Sequence, residues 1–129
     1  MSLESTTTLL IADDERMLRR TLQRVLKRSG YRLILAEDGQ EAVDQYERHQ
    51  EHIELVLLDM NMPRMSGVEA FHAIRLLNPL AKIVMTSGDS AEEVMARFDV
   101  GQGPLGVIQK PFELNQLLSQ VHHYVSETQ

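Results

Sequence analysis

The chain has 129 residues, of which 43% are hydrophobic and 25% are charged. This composition is typical of globular proteins, and a domain of this length buries roughly two thirds of the surface that its unfolded form exposes. A second full domain is therefore excluded. Lys and Arg number 13 against 19 Asp and Glu, which gives a formal net charge of −6. Because such a charge repels a phosphate backbone, we expect no direct binding of nucleic acid.

The absence of cysteine excludes disulfides and cysteine-ligated zinc, and it is compatible with a reducing compartment. No apolar run approaches the roughly 18 residues of a membrane-spanning helix. The N-terminus has neither a basic residue before Arg16 nor a long apolar core, so it lacks the pattern of a secretory signal. We therefore expect a cytoplasmic protein without membrane insertion. Residues 1–7 are expected to be an N-terminal tail or an expression scar, and residues 8–126 a single domain.

Short apolar runs alternate with amphipathic stretches along the whole chain, without an internal repeat. The apolar runs predict strands at residues 8–12, 31–36, 55–58, 83–85 and 105–108. The amphipathic stretches predict helices at residues 17–26, 39–50, 68–77, 90–100 and 114–125. Each predicted strand is thus followed by one predicted helix.

Local signals indicate where the fourth helix begins and which side chains face the core. Ser90 is a favourable N-cap, and Glu93 three residues later has the spacing of a capping box. Apolar side chains at helical spacing are expected to point inward. They include Met17, Leu18, Leu22, Val25 and Leu26 in the first helix, and Val94, Met95 and Phe98 in the fourth.

The predicted strands are too apolar to show a polar face, which is typical of parallel strands covered on both sides. Right-handed crossover helices place such covering layers on both faces of the sheet. The fold class is therefore predicted to be α/β, with a doubly wound parallel sheet of five strands. In sheets of this kind, ligands bind beyond the carboxyl ends of the strands, so polar residues there are candidates for function.

Polar residues do follow the predicted strands at these ends. Asp13 and Asp14 follow the first strand, Asp59 follows the third, and Lys110 comes after the fifth. Three carboxylates in one small area repel one another unless a cation neutralises them. A site of carboxylates and water suits Mg²⁺ better than a transition metal, and the lysine adds a point charge suited to a phosphoryl group.

Together these elements resemble the receiver domain of bacterial response regulators, and the resemblance covers essentially the whole chain. The matching elements are Asp13-Asp14, Asp59 with Met62-Pro63 and Gly67, the hydroxyl pair before Gly88, and Lys110-Pro111-Phe112. The resemblance implies a flavodoxin-like three-layer sandwich. It also implies a phosphorelay in which a sensor histidine kinase or a phosphotransfer protein donates the phosphoryl group. A downstream partner is then expected to bind the face made by the fourth helix, fifth strand and fifth helix.

The resemblance also implies a role for each site residue. Asp59 is expected to accept the phosphoryl group, with Lys110 assisting. Asp14 is expected to bind Mg²⁺ directly, Asp13 through water, Asp59 with its carboxylate and Asn61 through its backbone carbonyl. The switch hydroxyl is expected to be Ser87, which directly precedes Gly88, with Thr86 as the alternative. The family geometry further implies a cis Lys110-Pro111 peptide bond.

One position departs from the family pattern, because Val107 stands where an aromatic switch residue is frequent. An aromatic rotamer switch is therefore not expected here. Three alternatives share parts of this pattern: a receiver domain cut from a hybrid histidine kinase or larger regulator, a receiver that only docks partners, and an aspartyl-phosphate phosphohydrolase. The phosphohydrolase class needs a second acid two residues after the nucleophile, where this chain has Asn61. The acidic triad with Lys110 argues against a receiver that only docks partners.

Overall fold

The computed structural model describes residues 6–127, and these residues form five strands and five helices. The strands are β1 (Thr8–Ala12), β2 (Arg32–Ala36), β3 (Ile53–Asp59), β4 (Ile83–Ser87) and β5 (Gly106–Gln109). The helices are α1 (Arg16–Arg28), α2 (Gly39–His49), α3 (Gly67–Leu77), α4 (Ala91–Met95) and α5 (Leu114–Ser126). Of the expected tail at residues 1–7, residues 1–5 lie outside the described residues.

All five strands are parallel and lie in the order β2-β1-β3-β4-β5. The α/β fold with a doubly wound parallel sheet is therefore confirmed. The order reverses at β1, so β1 and β3 are neighbours at the centre of the sheet. Their carboxyl ends are the places where the fold brings polar residues together.

Successive residues of β1 pack into two separate apolar cores, because side chains alternate between the faces of a sheet. Leu10 lies in the core formed with α2, α3 and α4, whereas Leu9 and Ile11 lie in the core formed with α1 and α5. This arrangement explains why β1 is buried along its whole length and shows no polar face. The molecule is a three-layer sandwich.

The first helix departs from the predicted core face at one residue. Leu22 and Leu26 are buried as expected, but Met17 is 68% exposed. Met17 lies in the first turn of α1, which begins only at Arg16. The next residue, Leu18, is partly buried and packs against the core, so Met17 alone of the predicted core positions in α1 is exposed.

The fourth helix is shorter than the predicted range of residues 90–100. Its capping box is present, since Glu93 N donates to Ser90 Oγ at 3.1 Å and Ser90 N donates to Glu93 Oε1 at 3.1 Å. The helix nevertheless ends at Met95, which is 40% exposed rather than inward. Phe98 N then donates to Met95 O in a tighter, i−3 turn, and Val100 is fully exposed. A further turn follows, since Gln102 N donates to Asp99 O at 3.0 Å, and the chain then returns to β5.

In residues 6–127, no helix combines the length and the apolar character that crossing a membrane requires.

Candidate functional site

Three carboxylates meet where β1 and β3 end. Asp13 and Asp14 directly follow β1, and Asp59 is the last residue of β3, so the pairing of the two strands brings them together. One carboxylate oxygen from each of the three lies within 4.8 Å of the other two. Asp13 and Asp59 are buried, whereas Asp14 is exposed. The cluster therefore has a buried floor and one member at the solvent side.

A single lysine reaches this cluster from the end of β5. The Lys110 backbone N–H donates to Ser87 O at 2.7 Å, which holds the residue beside the end of β4. Its Nζ donates to Asp13 Oδ2 at 2.8 Å and lies 3.5 Å from Asp59 Oδ1. The side chain thus bridges the two buried carboxylates, whose strands lie at the centre of the sheet.

Asp13 is held on both of its side-chain oxygens and on its backbone. Glu15 N donates to Asp13 Oδ1 at 2.8 Å, while Oδ2 accepts from Lys110. Arg19 Nη1 donates to the Asp13 carbonyl oxygen at 2.7 Å. The N–H of Asp13 donates to Ala36 O at 3.1 Å. The orientation of this carboxylate is therefore determined by contacts from α1, β2 and Lys110.

The charges at the site do not balance without a further cation. Burial, together with the negative charge of Asp13, raises the pKa of Asp59 to about 6, even though Lys110 and the Asn61 N–H act in the opposite direction. Burial alone would lower the pKa of Lys110, but its bond to Asp13 and the charge of Asp59 raise that pKa overall. One ammonium therefore faces an excess of negative charge.

The donor set fits Mg²⁺. In the part of the chain that the structure describes, Asp13, Asp14 and Asp59 are the one group of three or more acidic or histidine side chains close enough to share an ion. All of the donors are oxygen atoms, and Mg²⁺ binds through one or two carboxylates while it keeps several waters. The exposure of Asp14 leaves one side of the cluster open to those waters.

The loop from β3 to α3 carries Asn61, which is exposed. Asn61 N approaches Asp59 Oδ1 at 3.5 Å, and Gly67 N donates to Met60 O at 2.9 Å. Gly67 has no room for a side chain, because a Cβ atom there would lie 2.3 Å from Asp59 O. The loop therefore closes tightly onto the backbone of Asp59.

The two candidate hydroxyls at the end of β4 have different surroundings. Ser87 is almost fully buried, and its Oγ accepts from Asp89 N at 3.0 Å. Thr86 is also buried and is the register partner of Asp59 in the sheet. These contacts bring both residues to the edge of the site, and the assignment of Ser87 as the switch hydroxyl stays a prediction.

Two expectations about β5 can be compared with the structure. The Lys110-Pro111 bond is cis, as predicted. Val107 is partly buried and packs against the core on the α2, α3 and α4 side. An aliphatic side chain therefore occupies the position where an aromatic residue is frequent.

Residues that sequence reasoning missed surround the site. Arg19 holds the backbone of Asp13, and Arg64 in the β3–α3 loop binds Asp38 at the start of α2. Asp38 with Glu41 three residues later has the spacing of a helix N-cap, so the capping role of Asp38 can be predicted from the sequence. The ion-pair partner of Asp38 cannot be predicted from the sequence, because Arg64 lies 26 residues away.

The fold and the acidic site agree with comparisons to known proteins. The response regulator receiver domain family matches residues 9–122, and the chain therefore belongs to that family. The response regulator MprA of Mycolicibacterium vanbaalenii is 35% identical over 121 residues, which cover 93% of this chain and 51% of that protein. The chain thus spans about half the length of the curated relatives it matches. Receiver domains are signalling modules.

Solved structures show the same similarity. A CheY of Borrelia burgdorferi, in a CheX–CheY–BeF3–Mg²⁺ complex, is 28% identical with a TM-score of 0.84, and the match covers 93% of this chain and 90% of that one. A CheY-like receiver domain protein of Methanospirillum hungatei is 26% identical with a TM-score of 0.82, covering 94% of each chain. The flavodoxin-like receiver fold is therefore shown.

Proposed function

We propose that Asp59 is the phosphoacceptor of this receiver domain, which extends over residues 8–126. The observation that supports this proposal is the convergence of three carboxylates with Lys110, whose Nζ lies 3.5 Å from Asp59 Oδ1. Asp59 is the member of the cluster that ends β3 and is largely buried, so its oxygen can react away from bulk water.

The proposed reaction transfers a phosphoryl group from a phosphohistidine to Asp59. An Oδ atom of Asp59 forms a bond to phosphorus while the bond from phosphorus to the imidazole nitrogen breaks, and the nitrogen leaves with that electron pair. Asp59 reacts as a carboxylate, so no base has to remove a proton from it. Lys110 offsets the negative charge of the incoming phosphoryl oxygens, and Ser87 donates its hydroxyl hydrogen to one of them.

Mg²⁺ would be held by Asp14 and Asp59, by the backbone carbonyl of Asn61, and by Asp13 through water. When bound, it supplies positive charge for the phosphoryl oxygens. The magnesium in the B. burgdorferi CheY complex supports this assignment. So does the pKa of Asp59, which is raised to about 6 by burial and by the charge of Asp13.

The proposed donor is a sensor histidine kinase or a phosphotransfer protein, and the proposed output is binding of a downstream partner to the face formed by α4, β5 and α5. Partners of this kind and the lack of cysteine suggest a cytoplasmic location. A role as an aspartyl-phosphate phosphohydrolase is not favoured, because residue 61 is Asn rather than a second acid.

Incubation with acetyl phosphate tests the proposed function. We expect one hydroxylamine-labile phosphoryl group per chain in the presence of Mg²⁺ and none in EDTA, with peptide mapping by mass spectrometry placing it on Asp59. A phosphohydrolase would instead release inorganic phosphate over many turnovers. Labelling on a residue other than Asp59 would contradict the assignment.

A separate prediction distinguishes the first two aspartates. Asp14→Asn should weaken Mg²⁺ binding by at least ~10-fold, since substitution of even an indirect partner commonly costs that much. Asp13→Asn should weaken it less, because both Asp13 oxygens already accept hydrogen bonds from Glu15 and Lys110. Isothermal titration with Mg²⁺ measures both affinities, and a larger loss in Asp13→Asn would reverse the assignment.

A further inference from the structure

Arg64 forms an ion pair that connects the β3–α3 loop to the start of α2. Its Nε and Nη2 donate to Asp38 Oδ2 at 3.0 and 2.7 Å. The Asp38 side chain is 10% exposed and Arg64 is 66% exposed. Asp38 Oδ1 accepts from Glu41 N at 2.8 Å, so the same carboxylate caps α2 with one oxygen and binds Arg64 with the other. The Glu41 N–H and the guanidinium hold the pKa of Asp38 below its usual value, so the pair is charged at neutral pH.

The backbone around this pair is closely packed. Arg64 has a φ of 66°, a left-handed conformation that side chains other than glycine seldom adopt. The next residue, Met65, lies so close to Gly39 that a Cβ atom on Gly39 would be 2.0 Å from Met65 O. The loop is thus held against α2 by an ion pair and by a backbone contact at adjacent residues.

These contacts lie between two parts of the acidic site. On one side, the loop that carries Arg64 also carries Asn61, whose N–H approaches Asp59 Oδ1 at 3.5 Å. On the other side, Asp38 comes two residues after Ala36, whose carbonyl accepts from Asp13 N at 3.1 Å. The ion pair therefore joins the loop after Asp59 to the segment that supports Asp13.

We propose that the Asp38–Arg64 ion pair is a positioning device that holds the β3–α3 loop in the conformation in which Asn61 and Asp59 bind a divalent cation. The proposal rests on the proposed function, since it assigns Mg²⁺ to that site. The ion pair stabilises the unusual backbone at Arg64 against relaxation. Without it, the loop spends part of its time in other conformations. The apparent affinity for the cation then falls in proportion to the fraction of molecules whose loop is in the cation-binding conformation.

Two substitutions remove the ion pair without removing other structure. Arg64→Gly deletes the guanidinium and leaves a residue to which the left-handed backbone is accessible. Asp38→Asn removes the charge but keeps a side-chain oxygen, because Asn is as favourable an N-cap as Asp. Asp44→Asn is the matched control on α2: Asp44 is exposed and accepts only from Gln40, so it contributes nothing to the loop.

Calorimetric titration with Mg²⁺ alone tests the proposal. We expect Arg64→Gly and Asp38→Asn each to weaken Mg²⁺ binding by roughly 10-fold. This is the lower end of the usual loss of metal affinity when a residue that supports the metal ligands indirectly is substituted. The double variant should be no weaker than the more affected single one, because both changes break the same interaction. Arg64→Lys should retain part of the affinity, and Asp44→Asn should bind as the wild type does.

Mg²⁺ affinity equal to wild type in Arg64→Gly would overturn the proposal, as would additive losses in the double variant. If Asp38→Asn fails to fold, Arg64→Gly still decides the question, because its side chain is mostly exposed. Failure of the proposed function has a different signature, namely a wild-type chain that binds Mg²⁺ but takes up no phosphate at Asp59.

Discussion

Asp59→Asn is expected to abolish phosphorylation by acetyl phosphate and, at the same time, to make the magnesium-free protein more stable. The amide of Asn is not nucleophilic, so labelling should fall to the background of untreated protein. The gain in stability arises because the substitution removes a buried negative charge beside Asp13, while Lys110 keeps Asp13 as its partner.

The pH dependence of this gain follows from the pKa of Asp59, which rises from 3.8 to about 6 on folding. The folded state binds the proton more tightly than the unfolded state, so ionised Asp59 costs stability above pH 6 and costs little below pH 4. A shift of this size corresponds to about 3 kcal/mol at most. The free energy of unfolding of Asp59→Asn should exceed that of wild type at pH 8, and the difference should fade as the pH falls toward 4.

Urea denaturation in EDTA at pH 8 and pH 4.5 measures this difference. Asp44→Asn is the control, because an exposed carboxylate should change the free energy of unfolding by less than ~0.5 kcal/mol. Added Mg²⁺ should cancel most of the difference, since a ligand at 100 times its Kd stabilises the wild type by about 2.7 kcal/mol. An Asp59→Asn protein that is less stable than wild type at pH 8 in EDTA would refute the electrostatic explanation.

Gly67→Ala is expected to destabilise the fold by about 3 kcal/mol, the upper end of the usual cost of overpacking. The added Cβ would lie 2.3 Å from Asp59 O and 2.7 Å from Met60 Cα. Both are backbone atoms, so no side chain can move aside. The backbone of Asp59 must shift, and the rate of phosphorylation should therefore fall together with the stability.

Gly106→Ala and Gly88→Ala are graded controls for this prediction. A Cβ at Gly106 would meet the Tyr124 hydroxyl oxygen at 1.9 Å, but the end of that side chain can rotate away. A Cβ at Gly88 would have nothing within 4 Å. Urea denaturation should therefore rank the free energies of unfolding as Gly88→Ala above Gly106→Ala above Gly67→Ala. An equal cost at Gly67 and Gly88 would show that the close approach to Asp59 is unimportant.

The amino-acid sequence by itself determined the fold class and the location of the site. Hydrophobic runs of strand length separated by amphipathic helices allow few arrangements other than a parallel sheet covered on both faces. In such a sheet, residues that follow the strands must meet at one edge, which is why Asp13, Asp59 and Lys110 could be grouped in advance. Short-range signals such as the capping box of Ser90 and Glu93 could also be predicted from the sequence, because the two residues lie within one helical turn.

Only the tertiary structure decided which side chains touch. Lys110 bonds to Asp13 across 97 positions of the chain, and Arg64 bonds to Asp38 across 26. No local pattern encodes such a pair, because each side chain alone looks like an ordinary surface charge. The early end of α4 has the same origin: the pattern through Phe98 is helical, but the chain returns to β5 through short turns, such as the one in which Gln102 N donates to Asp99 O. Packing overrides local propensity at these positions, and long-range contacts determine the detail of the site.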